Sequence, residues 1–289
     1  MKNAITAIKN KYTAFSLYIP ALLWQFLFFY IPAAGIVLLS FIGFDAQGWY
    51  FTTEFYSSLF ASIYFRVIAR SLLLALATSF TCLLAAYPMC YFLAVKARKA
   101  KNILLFFLIL PFWTSLMVQV YSWFFILEKQ GLLNSILLKL GFISAPIPFL
   151  NSLFAIYLVM VYCYLPFMIF PLYANLEKLD RRLLEASSDL GANAWNTFKH
   201  VTLPLSLPGI RTGFFLVFVP AFGELVIPVL LGGGRYLFVG PLISQFFLSA
   251  RDIGRGSAFT ILSGVVLALS AWAIMRVFKW FINPRVQRK

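Results

Sequence analysis

The chain has 289 residues, of which 62% are hydrophobic and 11% charged, with a mean hydropathy of +0.88. Soluble globular domains carry about 25% charged residues, so that class is excluded and the chain reads as a polytopic membrane protein. Its formal charge of +15 does not point to nucleic acid, because the basic residues stand at the ends of apolar segments and form no stripe on a soluble fold.

Lys2, Lys9 and Lys11 precede an apolar run over about 14–42, longer than the roughly 20 residues that cross a bilayer. Pro20 and Pro32 are candidate kinks, and no small-residue cleavage site marks this run as a signal peptide. A loop over about 43–66 holds Asp45 and Glu54 among Trp49, Tyr50, Phe51, Phe55 and Tyr56, aromatics that favour the headgroup level. The second span, about 67–95, ends at Lys96, Arg98, Lys99 and Lys101. The third, about 103–127, contains LPFWTSLMVQVYSW, and a loop from Glu128 to Asn151 leads to the fourth, about 152–175. A polar region over 176–210 separates it from a fifth span, about 211–231, a loop containing Gly232 to Gly234, and a sixth span, about 257–281. The expectation is a single all-α transmembrane domain over 1–289, with six helices and both termini on one side. The N-terminus, the second and fourth loops and the tail hold fourteen Lys/Arg, including Arg285, Arg288 and Lys289, against six in the opposite loops. The positive-inside rule then places both termini and the polar region in the cytoplasm.

Cys82, Cys90 and Cys163 lie inside apolar segments without metal-ligand spacing and read as small buried hydrophobes. A single histidine, His200, cannot build a metal or acid–base cluster, and no nucleotide loop or serine–base pair appears. No active site is visible, so the chain is read as a non-enzyme. Uphill transport would draw its energy from a partner or from an ion gradient.

The polar stretch from Glu185 to Pro204 stands out against the membrane segments. Leu176, Leu179, Leu183, Ala186 and Leu190 recur at helical steps, predicting one amphipathic helix that stops at Gly191. Asn193 is placed to cap a second short helix, Ala194 to His200, presenting Trp195 and Phe198. Glu177 and Arg181 form a favourable four-residue pair, and so do Arg181 and Glu185. Two short helices meeting at a glycine form a knob suited to a groove on another protein, or else a linker lying on the membrane surface.

Within the spans, Glu224 is the clearest anomaly, since a carboxylate at membrane depth costs a few kcal/mol unless it faces protein or water. It is either a pathway residue or a structural carboxylate. Trp113, Tyr121 and Trp123 are either packing and interfacial belt or a cation-binding wall, since aromatic faces attract ammonium groups. Glu128 and Asp252 would add negative charge at a pathway mouth, or are simply solvated.

Glu185-Ala186-Ser187, Gly191, and Val201-Thr202-Leu203-Pro204 at their spacing resemble the EAA motif of ABC-transporter permease subunits, with Ser187 and Val201 standing where alanine and isoleucine are usual. LPFWTSLMVQVYSW, YLPFMIFPLYANLEKLDRRLLEASSDLG, GELVIPVLLGGG and FFLSARD are similar to the spermidine/putrescine importer permeases of the type I importer fold, although Ile253-Gly254 replaces the Trp-Pro common there. The resemblance implies a second homologous permease subunit, two cytoplasmic ATPase subunits that hold ATP and Mg, and an extracytoplasmic substrate-binding protein. It assigns no cofactor to this chain and places it in the bacterial inner membrane. It also makes Glu185, Ala186, Ser187 and Gly191 the ATPase contact, with Leu203 and Pro204 anchoring the return to the membrane. Substrates with several ammonium groups fit Glu224 and the aromatic residues. A related importer for another small solute and an ion-gradient-driven carrier are the alternatives.

Overall fold

The computed structural model describes residues 18–45, 48–96 and 101–282. Lys2, Lys9, Lys11, the start of the first span, Arg98, Lys99, Arg285, Arg288 and Lys289 lie outside the described residues. The chain divides into two compact units, one reaching to Ala61 and including Gln245–Gly264, the other comprising Ser62–Ser244 and the chain from Val265.

In the first unit, α1 (Tyr18–Leu39) has the length and apolar composition to cross a bilayer. The loop expected over 43–66 is more structured than its polarity suggested. Ile42–Asp45 (β1) and Gly48–Phe51 (β2) form an antiparallel hairpin, the two strands among the described residues of a predominantly helical chain, followed by α2 (Glu54–Ser58). The Tyr56 hydroxyl donates to Ser40 Oγ at 2.9 Å, tying α2 to the end of α1.

The second unit is built on three helices packed side by side: α3 (Ser62–Tyr91), α7 (Leu153–Leu176), and the long α9 (Ala194–Phe222). Between α3 and α7 the chain forms α4 (Lys101–Ile109), a 3₁₀ turn (Leu110–Trp113), α5 (Leu116–Leu127) and α6 (Leu132–Lys139). The third expected span is therefore broken, with Pro111 and the extended Ser115 interrupting it. Among the described residues five helices are long and apolar enough to cross a membrane: α1, α3 with its extension to Val95, α7, α9, and α12 (Ile253–Ile282).

Small residues explain the close packing of the three-helix core. Along α3, Ser71, Ala75, Ser79, Cys82, Ala86 and Cys90 recur at three- and four-residue steps and are all buried. In a membrane, where apolar surface alone drives no association, such stripes let helix backbones approach. The same holds for Gly209 and Gly213 on α9, where a Cβ would stand 2.6 Å from Asn175 Cβ and 2.8 Å from Met168 Sδ on α7. Gly213→Leu forces the two helices apart at a cost of about 1–3 kcal/mol. Its thermal unfolding midpoint in detergent should fall measurably below that of the wild type, while an equal midpoint would remove this contact from the core.

The amphipathic helix expected from Leu176 to Leu190 is two elements. Leu176 is buried and ends α7, and a new helix, α8 (Arg181–Asp189), starts where Asp180 accepts a hydrogen bond from the Arg182 amide at 3.0 Å. Glu177 binds Lys101 at the start of α4, and that hydrogen bond holds its carboxyl below the usual carboxylate range. The fifth expected span, 211–231, also differs. Its helix begins at Ala194, passes through a π-turn at Phe198–Thr202, and ends at Phe222. After Gly223 to Leu225 a separate short helix, α10 (Val226–Gly232), follows, then α11 (Val239–Ser244).

Candidate functional site

Two places in the second unit combine unusual geometry with chemistry. At the first, α8 ends in a Schellman arrangement: the Gly191 amide donates to the Ser188 carbonyl at 2.9 Å and the Ala192 amide to the Ser187 carbonyl at 3.1 Å. This closure needs a left-handed residue, and Gly191 supplies it at φ +80°. Asn193 then caps the first turn of α9 by accepting from the Asn196 amide at 2.8 Å. The second knob helix does not end at His200 but runs on as α9 into the membrane segment, with Leu203 and Pro204 inside that continuous helix.

The knob is cross-braced. Ser187, at the position where the motif usually has alanine, forms a hydroxyl–hydroxyl hydrogen bond to Thr197 at 2.9 Å, joining α8 to α9. Ser187→Ala removes that brace without unburying a charge, at about 1 kcal/mol. A modest fall in thermal stability is the expected result, with transport retained. Glu185 and Ala186 lie exposed on α8, and Leu183, Leu190 and Trp195 form an apolar edge. Leu190, at the C-terminal end of α8, is 89% exposed. Behind this edge, Phe198 stacks on Trp195 and meets Tyr87 of α3 edge-on at 5.5 Å, and Tyr87 bonds Ser206 of α9 at 3.0 Å. The knob is thereby attached to two membrane helices.

The second place lies where two broken helices meet. Breaking a helix at membrane depth frees backbone groups that must find partners. At the Pro111–Ser115 break, Gln119 Nε2 donates to the Pro111 carbonyl at 2.6 Å and to Thr114 Oγ1 at 3.0 Å. At the Gly223–Leu225 break, Glu224 Oε1 accepts from the Val226 and Ile227 amides at 2.9 and 3.3 Å, capping α10. Its other oxygen, Oε2, accepts from the Tyr164 hydroxyl of α7. A cavity of about 340 Å³ lies against the first break, lined by Pro111, Thr114, Gln119, Tyr162, Tyr164 and Pro220 among others, and it reaches the second break through Tyr164, the partner of Glu224. Gly240 of α11 presses on the back of the second break, where a Cβ would sit 2.5 Å from the Gly223 carbonyl and 2.6 Å from that of Glu224.

The other expected pathway residues divide. Trp123 packs on Tyr162 of the cavity wall, ring centroids 5.3 Å apart, while Tyr121, two positions away on α5, points elsewhere and is exposed. Trp113 is exposed and touches Phe106. The three do not make one wall within this chain. Glu128 has an exposed side chain, and its carbonyl accepts from the buried Asn134, which also bonds Ile147 and so organises the loop. Asp252 belongs to the first unit, lining a cavity of about 670 Å³ with Trp49, Tyr50 and Phe55. There it caps α12 at the Arg255 amide and pairs with the Arg255 guanidinium at 3.4 Å, which offsets its charge.

Tyr164, Gly240, Asn134 and Thr197 gave no signal in the sequence, because each acts through a partner outside its own helix. Leu190 was visible, but as one more apolar position on a helical face.

Comparison with known proteins places these features in context. Residues 86–288 match the family model described as binding-protein-dependent transport system inner membrane component. The chain is 39% identical over 267 residues to the spermidine/putrescine transport system permease protein PotB of Haemophilus influenzae, covering 91% of this chain and 93% of that protein. It is 38% identical to the protein of that name in Escherichia coli, covering 91% and 97%. In structure it is similar to a chain of a bacterial ABC transporter involved in the import of the acidic polysaccharide alginate, with a TM-score of 0.73 over 95% of this chain and 97% of that one, at 19% identity.

Proposed function

We infer the function of this chain from the family to which it belongs, the binding-protein-dependent transport system inner membrane components: it is a multi-pass inner-membrane permease subunit of an ABC importer. We propose further that its substrates are polyamines of the spermidine and putrescine type. The observation that carries this reading is the 39% identity to a spermidine/putrescine permease over 91% of the chain. The pathway proposed within this chain is the cavity at the first helix break, with Glu224, joined to it through Tyr164, as its anionic group and Trp123, through Tyr162, part of its aromatic lining. Trp113 and Tyr121 are assigned to the surface facing the second permease subunit, and Glu128 and Asp252 to the extracytoplasmic approaches.

Six crossings, with both termini and the α8 knob in the cytoplasm, complete the proposal. The third crossing is formed by the helical pieces over 101–127. Glu185, Ala186, Ser187 and Gly191, with the Leu190–Trp195 edge, dock into partner ATPase subunits that bind ATP and Mg. Leu203 and Pro204 carry the displacement into α9. A second homologous permease and an extracytoplasmic binding protein complete the importer. Closure of the ATPases pushes the knob, and the attached α3 and α9 switch the cavity between the two sides of the membrane.

Uptake of labelled spermidine into proteoliposomes tests this reading. Transport is expected only when the second permease, the ATPase subunits, the binding protein and internal ATP are all present. Uptake by this chain alone, driven by a proton or sodium gradient, would overturn the importer mechanism. ATP-driven uptake of another solute in place of polyamines would overturn the substrate assignment alone.

A further inference from the structure

We propose that a groove on the second unit, between α3 and α7, is a binding site for an anionic phospholipid. The groove has a volume of about 590 Å³, and its floor and walls are apolar: Leu73, Leu74 and Ala77 from α3 face Leu153 and Phe154 from α7. Arg66 and Arg70, one helical turn apart on the same face of α3, also line it. Among the described residues no carboxylate lines the groove. Arg66 Nε reaches the Ser62 carbonyl at 3.4 Å, and the half-buried Arg70 guanidinium lies 5.7 Å from the centre of the Tyr236 ring.

Two guanidinium groups at this spacing repel one another, and beside an apolar surface they are poorly solvated. An anion between them relieves both costs, and a phosphate diester matches the planar donors of arginine in a bidentate manner. Charge excludes a polyamine as the occupant. An apolar helix of another subunit is disfavoured, because it would cover both arginines without supplying an acceptor. A phospholipid satisfies both parts. Its phosphate meets Arg66 and Arg70, and an acyl chain runs down α3, which rises about 10 Å between Arg70 and Ala77. Tyr157, further along the groove, turns its hydroxyl to Thr81 and so presents no unpaired polar group to the chain.

The test uses the full-length chain in mild detergent, titrated with phosphatidylglycerol or with phosphatidylcholine of identical acyl chains, with bound lipid read by native mass spectrometry. Phosphatidylglycerol should be retained roughly tenfold better than phosphatidylcholine, because both carry the phosphate diester but the choline ammonium of the latter offsets its charge and is repelled by the two guanidinium groups. In the Arg66→Gln/Arg70→Gln double variant that preference should vanish. Ala77→Phe, which fills the groove and keeps both arginines, should lower retention of both lipids. Undiminished phosphatidylglycerol preference in the double variant, or unchanged retention in Ala77→Phe, overturns the proposal. So does displacement of the lipid by equimolar glycerol 3-phosphate, which would reveal an anion site without a chain site.

Discussion

Leu190→Asp is expected to leave the permease folded and membrane-inserted while removing ATP-driven uptake. At 89% exposure Leu190 contributes no packing within this chain, so its replacement should not shift the thermal midpoint. In a partner's groove the same change forfeits about 2 kcal/mol of apolar burial and asks a carboxylate to desolvate, costing at least 1–3 kcal/mol more by an order-of-magnitude estimate. Together these weaken docking by about a hundredfold or more. Copurification of the ATPase subunits with tagged permease is the direct measurement. Undiminished copurification and uptake would remove the α8 edge from the coupling interface. Gly191→Ala provides a milder companion. Its Cβ meets nothing, yet φ +80° costs an L-residue about 1–2 kcal/mol, so the Schellman closure loosens and coupling falls without being abolished.

The contrast between Gly191 and Glu224 shows what the residues alone could reveal. A glycine after an amphipathic segment and an asparagine two positions later are local signals, and the structure places a left-handed turn and a cap at those positions. The turn between α8 and α9 was legible because its geometry is set by neighbours in sequence. Leu176 misled because hydrophobic periodicity runs through the Asp180 cap without registering it, so the end of α7 and the start of α8 merged into one apparent helix. The fifth span was displaced for a related reason. Hydropathy stays high from Phe214 to Leu231, and nothing local announces that Glu224 ends one helix and begins another. Small residues on α3 looked like unremarkable apolar sequence, although they determine how closely α7 and α9 approach. The cavity was not legible at all, since its lining comes from 111–119, 162–167 and Pro220, segments joined only by folding.

Glu224 is where a substrate role and a structural role can be separated. Its carboxylate caps α10 through Oε1 and receives on Oε2 the hydroxyl of Tyr164, which lines the cavity, so both oxygens are engaged and Tyr164 links the group to the cavity. Glu224→Gln keeps an oxygen that can accept the Val226 and Ile227 amides, and it loses the charge. Glu224→Ala loses both and leaves the two amides without that partner, at about 1–3 kcal/mol each if no water replaces it. If the charge recognises a polyamine, the Gln variant should assemble with its partners, unfold at nearly the wild-type temperature, and lose uptake by tenfold or more, the magnitude of one desolvated charge contact. The Ala variant should lose uptake and stability together. If Glu224 serves only as the cap, Gln should transport normally while Ala fails, and the carboxylate leaves the substrate path. Tyr164→Phe completes the test. It keeps the charge and the cap and removes only the hydroxyl that fixes the carboxylate to α7, so a recognition role predicts a raised KM for spermidine with assembly intact. A pure cap predicts uptake indistinguishable from wild type, because the amides that begin α10 are satisfied by Oε1 and do not depend on Tyr164.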